Sequence, residues 1–402
     1  MLGAGNRAST VLREFARNGD ACFVAVCDPF RDRREQAKAT LEELQNGSGV
    51  AAYNDFRDVM SRRDVDAVVC CSCDHWHVPL ALAAARAGKD MYVEKPLSVS
   101  VAWSKVLREA VRRSGRVFQY GTQQRSQSQF RHAVEVVRNG SLGEIRHVDA
   151  WCIDGTRATE WFDPRTVVEE PVPEGLDYEL WLGPAQKKPY SRFRVHREGS
   201  FHTYDYSLGF IAGWGAHPLD IAQWGLDADT TGPIRVEGTG KLPTTGGLFS
   251  TVYDWDLLST YASGVTMRFL SHRPAEPVIR KYRRRWSDHG TTFFGAGGWI
   301  SVDRGGLEAS DPKLLELRRA QGDERLAGGP AHDRNFLDCV RSRKETVSPL
   351  EAAIRSDTIS HLCDIAVRTG RPIRWDPAAE RILADESAER LLAREPRAPW
   401  TI

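Results

Sequence analysis

Residues 90–96 read Asp-Met-Tyr-Val-Glu-Lys-Pro, and the interpretation of the first part of the chain starts from this stretch. The run from Asp90 to Val93 predicts a buried parallel strand with Lys95 just beyond its carboxyl end, where open α/β sheets bind their ligands. Pro96 biases this lysine toward an extended conformation. A lysine held there can hydrogen-bond a reacting oxygen and help to move its proton, so Lys95 is a candidate catalytic residue. A solvated lysine at a strand end is the alternative interpretation.

The amino terminus carries a glycine-rich turn, Gly-Ala-Gly-Asn-Arg-Ala, at residues 3–8. This G-x-G-x-x-G/A pattern lets the backbone approach a pyrophosphate at a helix N-terminus, although a chance turn is the alternative. An apolar strand ending at Cys27 follows, and then Asp28, where an acid would hold a ribose hydroxyl of NAD. Arg33 and its basic neighbours could instead meet a 2′-phosphate. We therefore predict NAD as the cofactor, with NADP as the alternative.

Strand and helix patterns alternate through the first 120 residues. The predicted strands are 22–27, 50–53, 66–71, 90–93 and 117–120, and the predicted helices are 31–45, 55–61, 78–87 and 100–114. This alternation predicts a doubly wound parallel sheet, a Rossmann domain over residues 1–120. Only Met1 and Leu2 precede the glycine turn, whereas a first strand needs about five residues. We interpret this as a truncated start or a misassigned initiator methionine, which leaves an exported precursor open.

Composition places the chain among soluble proteins of about two domains. It has 402 residues and a formal net charge of +1, which argues against a general role on nucleic acid or membrane surfaces. Cys70, Cys71 and Cys73 lie beside His75 and His77, a set that would suit a metal. Strand alternation sends the first two cysteines to opposite faces of the sheet, so we predict no metal site. Buried reduced thiols would be typical of a cytoplasmic protein.

From residue 121 the pattern changes to longer β-rich segments, such as 146–153 and 251–270. These segments predict an α+β domain over residues 121–402 with a large, mostly antiparallel sheet. Amphipathic patterns at 335–341 and 350–367 predict helices in the region of about 330–370. We expect these helices to pack back toward the first domain.

A second candidate catalytic residue lies in the stretch from Trp214 to Trp224. Pro218 suits the first turn of a helix, which places His217 at the positive end of that helix. A histidine there can serve as a base near neutral pH. Asp220, three residues on, would share its helical face. A histidine that caps its helix and pairs structurally with Asp220 is the alternative.

Together these stretches resemble the Gfo/Idh/MocA family, which includes glucose–fructose oxidoreductase and inositol dehydrogenase. The resemblance runs essentially end to end. It implies a Rossmann domain that binds NAD(P), followed by an α/β domain whose open sheet supports a homodimer or homotetramer. The nicotinamide would face this second domain. The resemblance is carried by Gly3 to Arg7, Asp74-His75-Trp76-His77, Glu94-Lys95-Pro96, Gly121-Thr122-Gln123, Trp214 to Trp224, Asn335 to Arg341 and Arg374-Trp375-Asp376-Pro377.

In family dehydrogenases the lysine of the E-K-P motif works with an aspartate and a histidine spaced D-x-x-x-H. Lys95 and His217 match, whereas the aspartate position is Gly213. The catalytic candidates are therefore Lys95 and His217, with Tyr206 and Asp220 as candidates to compensate. The implied cofactor-binding residues are Gly3, Gly5, Asn6, Arg7, Asp28, Arg33, Cys71, His75, His77, Glu94, Lys95 and Gln123. The candidate substrate-binding residues are Arg125, Trp161, Arg194, Tyr204 and His217.

The resemblance implies an enzyme that takes hydride from a secondary ring hydroxyl, usually at C3, of a sugar or sugar derivative. Absence of the aspartate also resembles the NAD-dependent glycosidases of the family, which oxidise, eliminate, hydrate and reduce with no net redox change. A redox-neutral glycosidase is therefore the alternative. The basic runs 192–197 and 280–286 could clamp an anionic substituent, as in a sulfoquinovoside, or form a solvated loop and an oligomer contact. A non-catalytic sensor of NAD and sugar is the third hypothesis.

Overall fold

The computed structural model describes residues 1–47, 49–156, 168–244, 247–317, 322–326 and 331–402. The chain forms two sheets, each packed against helices. The strands are β1 (Ala25–Cys27), β2 (Ala51–Tyr53), β3 (Ala67–Cys70), β4 (Asp90–Val93), β5 (Phe118–Tyr120), β6 (Ile145–Cys152), β7 (Arg235–Lys241), β8 (Asp254–Thr260), β9 (Thr266–Ser271), β10 (Gly290–Gly295), β11 (Gly298–Asp303), β12 (Gly306–Ala309), β13 (Ile373–Asp376) and β14 (Arg381–Ile382).

The helices alternate with the strands in the first domain and are grouped in the second. They are α1 (Asn6–Ala16), α2 (Arg31–Leu44), α3 (Phe56–Ser61), α4 (Asp74–Arg86), α5 (Val101–Ser114), α6 (Ser128–Arg138), α7 (Tyr178–Leu182), α8 (Arg192–Val195), α9 (Arg197–Phe201), α10 (Phe210–Gly213), α11 (Ala216–Gly225), α12 (His272–Ile279), α13 (Lys313–Glu316), α14 (His332–Ser342), α15 (Leu350–Thr369) and α16 (Glu386–Glu389). Among the described residues, 3₁₀ turns are formed by Gln123–Ser126 and Arg390–Leu392.

The amino-terminal sheet is parallel, in the order β2-β1-Leu2-β3-β4-β5. Between β1 and β3 lies Leu2, which forms a parallel bridge with Cys27 on one side and with Cys70 on the other. Successive residues of β4 face opposite sides of the sheet. Met91 packs in the core with α3, α4 and α5, and Tyr92 packs in the core with α1, α2 and α14. This is the doubly wound architecture that the alternating pattern predicts.

Register brings the carboxyl ends of three strands together. Cys70 pairs with Val93, and Val93 pairs with Tyr120. The residues that follow these strands, including Glu94 and Lys95, therefore lie along one edge of the sheet, which is where a ligand is expected.

The second domain is built on a nine-stranded sheet in the order β12-β11-β10-β6-β9-β8-β7-β13-β14. Only the β6–β9 pairing is parallel among its described pairings. Helices α6, α11 and α15 cover one face and form the main core with it. On the other face, α12 packs against Trp151 and Leu270.

The carboxyl-terminal helices contact the first domain as well as the second. From α14, Phe336 joins the core beneath Tyr92. Arg343, just after α14, pairs with Asp90 at 2.7 Å. The first turns of α15 contribute Leu350 and Ile354 to the core around β4, whereas its later turns belong to the core of the second domain.

The fold class is confirmed, and several predicted bounds differ from the structure. Strand β1 begins at Ala25 and not at Cys22, helix α4 begins at Asp74 and not at Val78, and helix α14 begins at His332 and not at Asn335. The β-rich segment 251–270 contains two strands, because a turn in which Tyr261 donates to the carbonyl of Val265 separates β8 from β9. Gly264 supplies the positive φ of +87° that this turn requires. In the described part of the chain, no helix combines the length and apolarity that crossing a bilayer requires.

Candidate functional site

A cavity of about 870 Å³ lies between the two domains. One wall is the edge of the parallel sheet, with the glycine turn, Asp28, Glu94 and Lys95. The facing wall comes from the second domain, with residues 195–217 and Arg304. A pocket of this size suits a cofactor with a small substrate, since ligand pockets run from about 300 to 1,000 Å³.

The glycine turn forms an open cradle at the N-terminus of α1. Gly3 has a φ of +86°, and a Cβ on it would lie 2.6 Å from the carbonyl oxygen of Cys71, so glycine is required there. Gly5 caps α1, and a Cβ on it would meet nothing within 4 Å. The first turn of α1 holds no acidic residue. Free backbone N–H groups and the helix dipole therefore make this turn suited to a pyrophosphate, so the residues present fit a dinucleotide.

The carboxylate of Asp28 accepts a hydrogen bond from the backbone of the same turn. Its two carboxylate oxygens accept from the backbone N–H groups of Ala4 at 2.7 Å and Phe30 at 2.8 Å. Burial raises the pKa of Asp28, and these hydrogen bonds oppose that rise. A carboxylate has about four acceptor positions, so lone pairs remain for a ribose. Arg33 stacks over the Phe30 ring at 3.8 Å and also lines the cavity.

Glu94 is the centre of a hydrogen-bond network that orders the strand edge. The carboxylate is buried and accepts from Arg7 Nε at 2.9 Å, Gln123 Nε2 at 3.0 Å and Tyr92 OH at 3.4 Å. A Cβ on Gly121 would lie 2.9 Å from Glu94, so the neighbouring strand approaches without a side chain. The network fixes the backbone from which Lys95 projects.

Lys95 reaches across the cavity to the second domain. Its Nζ donates to the carbonyl oxygen of Gly213 at 2.6 Å. Burial lowers the pKa of Lys95, and the charges of Glu94 and Asp74 oppose that change. Asp74 is itself buried and accepts from Ser207 Oγ at 2.6 Å. The acceptor for Lys95 is thus the backbone carbonyl of Gly213, the position at which the resemblance implies an aspartate.

The space that such an aspartate would need is filled. A Cβ on Gly213 would lie 2.4 Å from two ring carbons of Phe201, which lines the cavity. The glycine therefore admits the Phe201 ring.

His217 lies in the first turn of α11 and faces the cavity. Arg304 Nη2 lies 3.2 Å from its Nε2, so Nε2 accepts and the histidine is neutral. Burial, followed by the charges of Lys95 and Arg304, lowers the pKa of His217 well below its usual value. The site thus holds an unprotonated base beside a lysine donor.

Thirteen of the candidate residues line the cavity, but their surroundings differ. Tyr206 lines it as a fully buried residue; Arg194 Nη1 donates to its hydroxyl at 3.4 Å, and burial raises the pKa of Tyr206 to about 12. His77 holds the strand edge through the carbonyls of Pro96 and Ser72. The candidates that line the cavity are Gly3, Gly5, Asn6, Arg7, Asp28, Arg33, Cys71, His77, Glu94, Lys95, Gln123, Tyr206 and His217.

Arg125 and Asp220 do not line the cavity; they form a buried ion pair with each other. Arg125 Nε and Nη2 each lie 2.8 Å from a carboxylate oxygen of Asp220, and the guanidinium also pairs with Asp229. Both Arg125 and Asp220 are 1% exposed. A buried pair with satisfied oxygens is not placed to compensate for a missing base or to hold substrate.

Three further candidates also lie off the cavity wall. His75 is buried, with Nε2 3.1 Å from the carbonyl of Trp181. Tyr204 is sandwiched between the guanidinium groups of Arg368 and Arg394. Arg194 donates to the carbonyl of Pro189 at 3.1 Å and supports Tyr206. Trp161 lies outside the described residues.

The cysteines beside the cavity are thiols whose pKa is raised by burial. Cys70 ends β3 and is fully buried, whereas Cys71 lines the cavity. Burial raises the pKa of Cys70 and of Cys73 to about 12, and it raises the pKa of Cys71 well above the ordinary value. These groups are protonated at neutral pH and are poor metal ligands and nucleophiles in that state.

The basic run 280–286 is occupied by internal ion pairs. Arg283 and Arg285 both pair with Asp303, and Arg280 pairs with Glu276. The cation that the sequence interpretation missed is Arg304, in the turn between β11 and β12. The residues next to Arg304 in the sequence form no recognisable motif. The position of Arg304 becomes evident only from the sheet topology, which brings this turn to His217.

Comparisons with known proteins agree with this geometry. Residues 1–122 match the family model described as oxidoreductase family, NAD-binding Rossmann fold. Residues 128–265 and 322–402 match the model of the oxidoreductase family C-terminal alpha/beta domain. The resemblance inferred from the motifs is thereby confirmed.

Individual relatives are distant. An inositol 2-dehydrogenase of Salmonella typhimurium is 28% identical over 184 residues, which are 45% of this chain and 53% of that protein. A glycosyl hydrolase family 109 protein of Shewanella putrefaciens is 26% identical over 159 residues, 37% of this chain and 33% of that protein. The chain thus spans about half the length, or less, of the curated relatives it matches. The WlbA dehydrogenase of Bordetella pertussis, solved with NADH and UDP-GlcNAcA, superposes with a TM-score of 0.67 at 14% identity, over 93% of this chain and 97% of that one.

Proposed function

The chain belongs to the Gfo/Idh/MocA oxidoreductase family, and from this premise we propose that it is an NAD-dependent oxidoreductase acting on a sugar or cyclic polyol. The substrate carbon would be a secondary carbinol, with C3 of a ring as the expected position. The observation that carries the proposal is the pairing of Lys95 and His217 in one cavity with an open dinucleotide cradle. Alcohol oxidation requires a base for the hydroxyl proton beside a hydride acceptor, and a lysine N–H can hydrogen-bond the reacting oxygen.

The protein residues would divide the work as follows. Bound NAD supplies the hydride acceptor, and the protein handles the hydroxyl proton. Lys95 Nζ, anchored to the carbonyl of Gly213, is placed to hydrogen-bond the substrate oxygen. His217 Nε2 takes the proton as the carbon loses hydride, so an alcohol becomes a ketone and one proton is left on the protein.

Asp28 supports NAD over NADP, because its remaining lone pairs suit the two ribose hydroxyls and its charge disfavours a 2′-phosphate. Arg33 is the residue that would favour NADP, since it lines the same part of the cavity. We retain NAD as the proposed cofactor.

A redox-neutral glycosidase is the second candidate. It is favoured by Gly213, which replaces the expected aspartate, and by the family 109 relative. Elimination of an aglycone needs a further base. Tyr206 is poorly suited to this step at neutral pH because burial raises the pKa of its hydroxyl to about 12. We therefore place the dehydrogenase first.

The test follows two signals in one reaction. The protein is incubated with NAD and a panel of neutral and acidic nitrophenyl glycosides, free sugars and inositols, while NADH and nitrophenol are recorded together. NADH accumulation without aglycone release supports the dehydrogenase. Nitrophenol release over many turnovers without net NADH overturns it in favour of the glycosidase.

Lys95→Ala separates catalysis from cofactor binding. We expect hydride transfer to fall by about 10²- to 10⁴-fold, the range for loss of a proton-transfer group, with NADH affinity nearly unchanged. Lys344→Ala, at an exposed lysine after α14, is the matched control. Normal turnover in Lys95→Ala would remove the lysine from the mechanism.

A further inference from the structure

An arginine without a carboxylate partner faces the reactive end of the cavity. Arg304 is solvent-accessible and lines the cavity wall. Of its five N–H groups, one is directed at His217 Nε2, and no other side-chain hydrogen bond or ion pair of Arg304 is formed with the described residues. By contrast, Arg283 and Arg285, which belong to the basic run 280–286, are both paired with Asp303.

A second cation lies close to Arg304. The guanidinium carbon of Arg304 lies 5.4 Å from the centre of the Trp214 ring, and Lys95 Nζ lies 5.8 Å from the same centre. The carboxylates nearby make their direct contacts elsewhere: Glu94 pairs with Arg7, Asp288 contacts His289 at 2.8 Å, and Asp74 accepts from Ser207. Lys95 and Arg304 therefore lie against one aromatic ring, and neither forms an ion pair with a carboxylate of the described residues.

We propose that Arg304 binds an oxyanion carried by the substrate, so the sugar or polyol taken by this site is an acidic one. The inference rests on the proposed function and narrows its substrate class to carboxylate-, phosphate- or sulfonate-bearing molecules. A guanidinium fits such oxyanions through paired N–H groups. The cofactor pyrophosphate has its own cradle at the glycine turn, which leaves Arg304 to the substrate.

Binding of the oxyanion would also prepare the base. Without substrate, Arg304 occupies the Nε2 lone pair of His217, which that nitrogen needs in order to accept a proton. When the guanidinium turns to the oxyanion, Nε2 is released beside the reacting hydroxyl. An acidic substrate would thus free the base that acts on it, whereas a neutral analogue would leave it blocked.

The test measures binding and turnover separately on the full chain. Calorimetry in the presence of NADH compares matched pairs: D-glucuronate with its methyl ester, D-galacturonate with its methyl ester, and D-glucose 6-phosphate or a 6-sulfonate with D-glucose. We expect the wild type to bind at least one charged member about 10-fold or more tightly than its neutral partner, the range for hydrogen bonds to a charged group. The pair that responds identifies the kind of oxyanion.

Three variants assign the preference to this side chain. Arg304→Gln should abolish the preference, Arg304→Lys should restore part of it, and Arg284→Gln, at an exposed arginine of the neighbouring segment, should keep it. Equal affinity for the members of every pair in the wild type, including no detectable binding of any, would overturn the proposal. So would an Arg304→Gln variant that loses NADH affinity and keeps the preference for acids.

Turnover assays distinguish the binding of acids by Arg304 from the proposed oxidoreductase activity. Hydride transfer from neutral sugars with no preference for acids would overturn the role of Arg304 and leave the oxidoreductase intact. An acid preference that disappears in Arg304→Gln, in a protein that transfers no hydride, would support Arg304 and count against the oxidoreductase.

Discussion

The lysine of this site is held by a backbone carbonyl. Lys95 Nζ donates to Gly213 O at 2.6 Å, and the ring of Phe201 fills the volume where an aspartate would lie. A carbonyl carries no full charge, so it stabilises the protonated lysine less than a carboxylate would. The lowered pKa of Lys95 agrees with that difference, since burial is its largest cause. The lysine is therefore better able to release a proton than one paired with aspartate.

Gly213→Ala tests whether the glycine is retained for packing. Its Cβ would lie 2.4 Å from the Phe201 ring, and overpacking of this kind costs about 1–3 kcal/mol of unfolding free energy. Chemical denaturation measures the loss. Combining it with Phe201→Ala should recover part of that cost, and strictly additive effects of the two changes would contradict the steric account.

The pH dependence of catalysis should report His217. Lys95, Arg304, His289 and Arg7 are all nearby cationic or titratable groups that lower its pKa, in addition to burial. A base with a pKa well below 6.5 stays unprotonated as pH falls through that value, so kcat/KM should be retained below pH 6.5. Arg304→Gln removes one positive charge, which raises the pKa of His217, so the acid-side limb should move to higher pH. An unmoved limb in that variant would show that another group controls it.

Asp28 should control both cofactor choice and the shape of the glycine turn. Asp28→Ala leaves the N–H groups of Ala4 and Phe30 without acceptors and removes the charge that disfavours a 2′-phosphate. We expect NAD affinity to fall more than NADP affinity, as measured by fluorescence titration of the reduced cofactors. Asp32→Ala, at an exposed acid in the first turn of α2, is the control. An unchanged NAD-to-NADP ratio would refute the ribose contact.

At the scale of elements, α11 is tied to the end of β5 by the Arg125–Asp220 pair. This pair joins the 3₁₀ turn Gln123–Ser126, beside the cofactor edge, to the helix that carries His217. Its two members are one turn or less from residues that line the cavity, yet both are buried away from it. Their role is to position α11.

Asp220→Asn should therefore act mainly on stability. Breaking a buried ion pair costs about 3–5 kcal/mol, because one charge loses its partner. Asp229 also contacts Arg125, so we expect a value near the low end of that range. Urea denaturation gives the free energy, with Asp256→Asn in the more exposed Arg268 pair as the control. A stable variant with abolished turnover would instead return Asp220 to the chemistry.

The sequence was most informative where chemistry and local pattern coincide. The bounds of β4 were predicted correctly, because a short apolar run between turn signals and the E-K-P motif define both ends. The start of α4 was missed because Asp74, His75 and His77 are polar and yet buried, so the first turn of the helix shows no amphipathic pattern. Arg304 and the Arg125–Asp220 pair depend on contacts between residues 87 or 95 positions apart, which periodicity cannot reveal.

At the scale of the whole molecule, α15 belongs to two cores. Leu350, Ala353 and Ile354 pack in the first domain, whereas Ile359, Leu362 and Ile365 pack in the second. Neither core can lose this helix and remain complete, so the two domains should unfold together. Differential scanning calorimetry should show one transition, and NADH, whose candidate binding residues lie in the first domain or at its edge, should raise the temperature of the whole transition. Two separated transitions, with only one shifted by NADH, would contradict this coupling.

Because α15 packs in both cores, it also determines which segments of this protein can be exchanged with those of a relative. A chimera that replaces residues 1–120 alone would set a foreign sheet against native Leu350, Ile354 and Phe336, and its core would be mismatched although none of these three residues lines the cavity. The modular unit is discontinuous: it consists of the amino-terminal sheet together with α14 and the first turns of α15. New cofactor specificity grafted by swapping domains would have to bring those distant residues along.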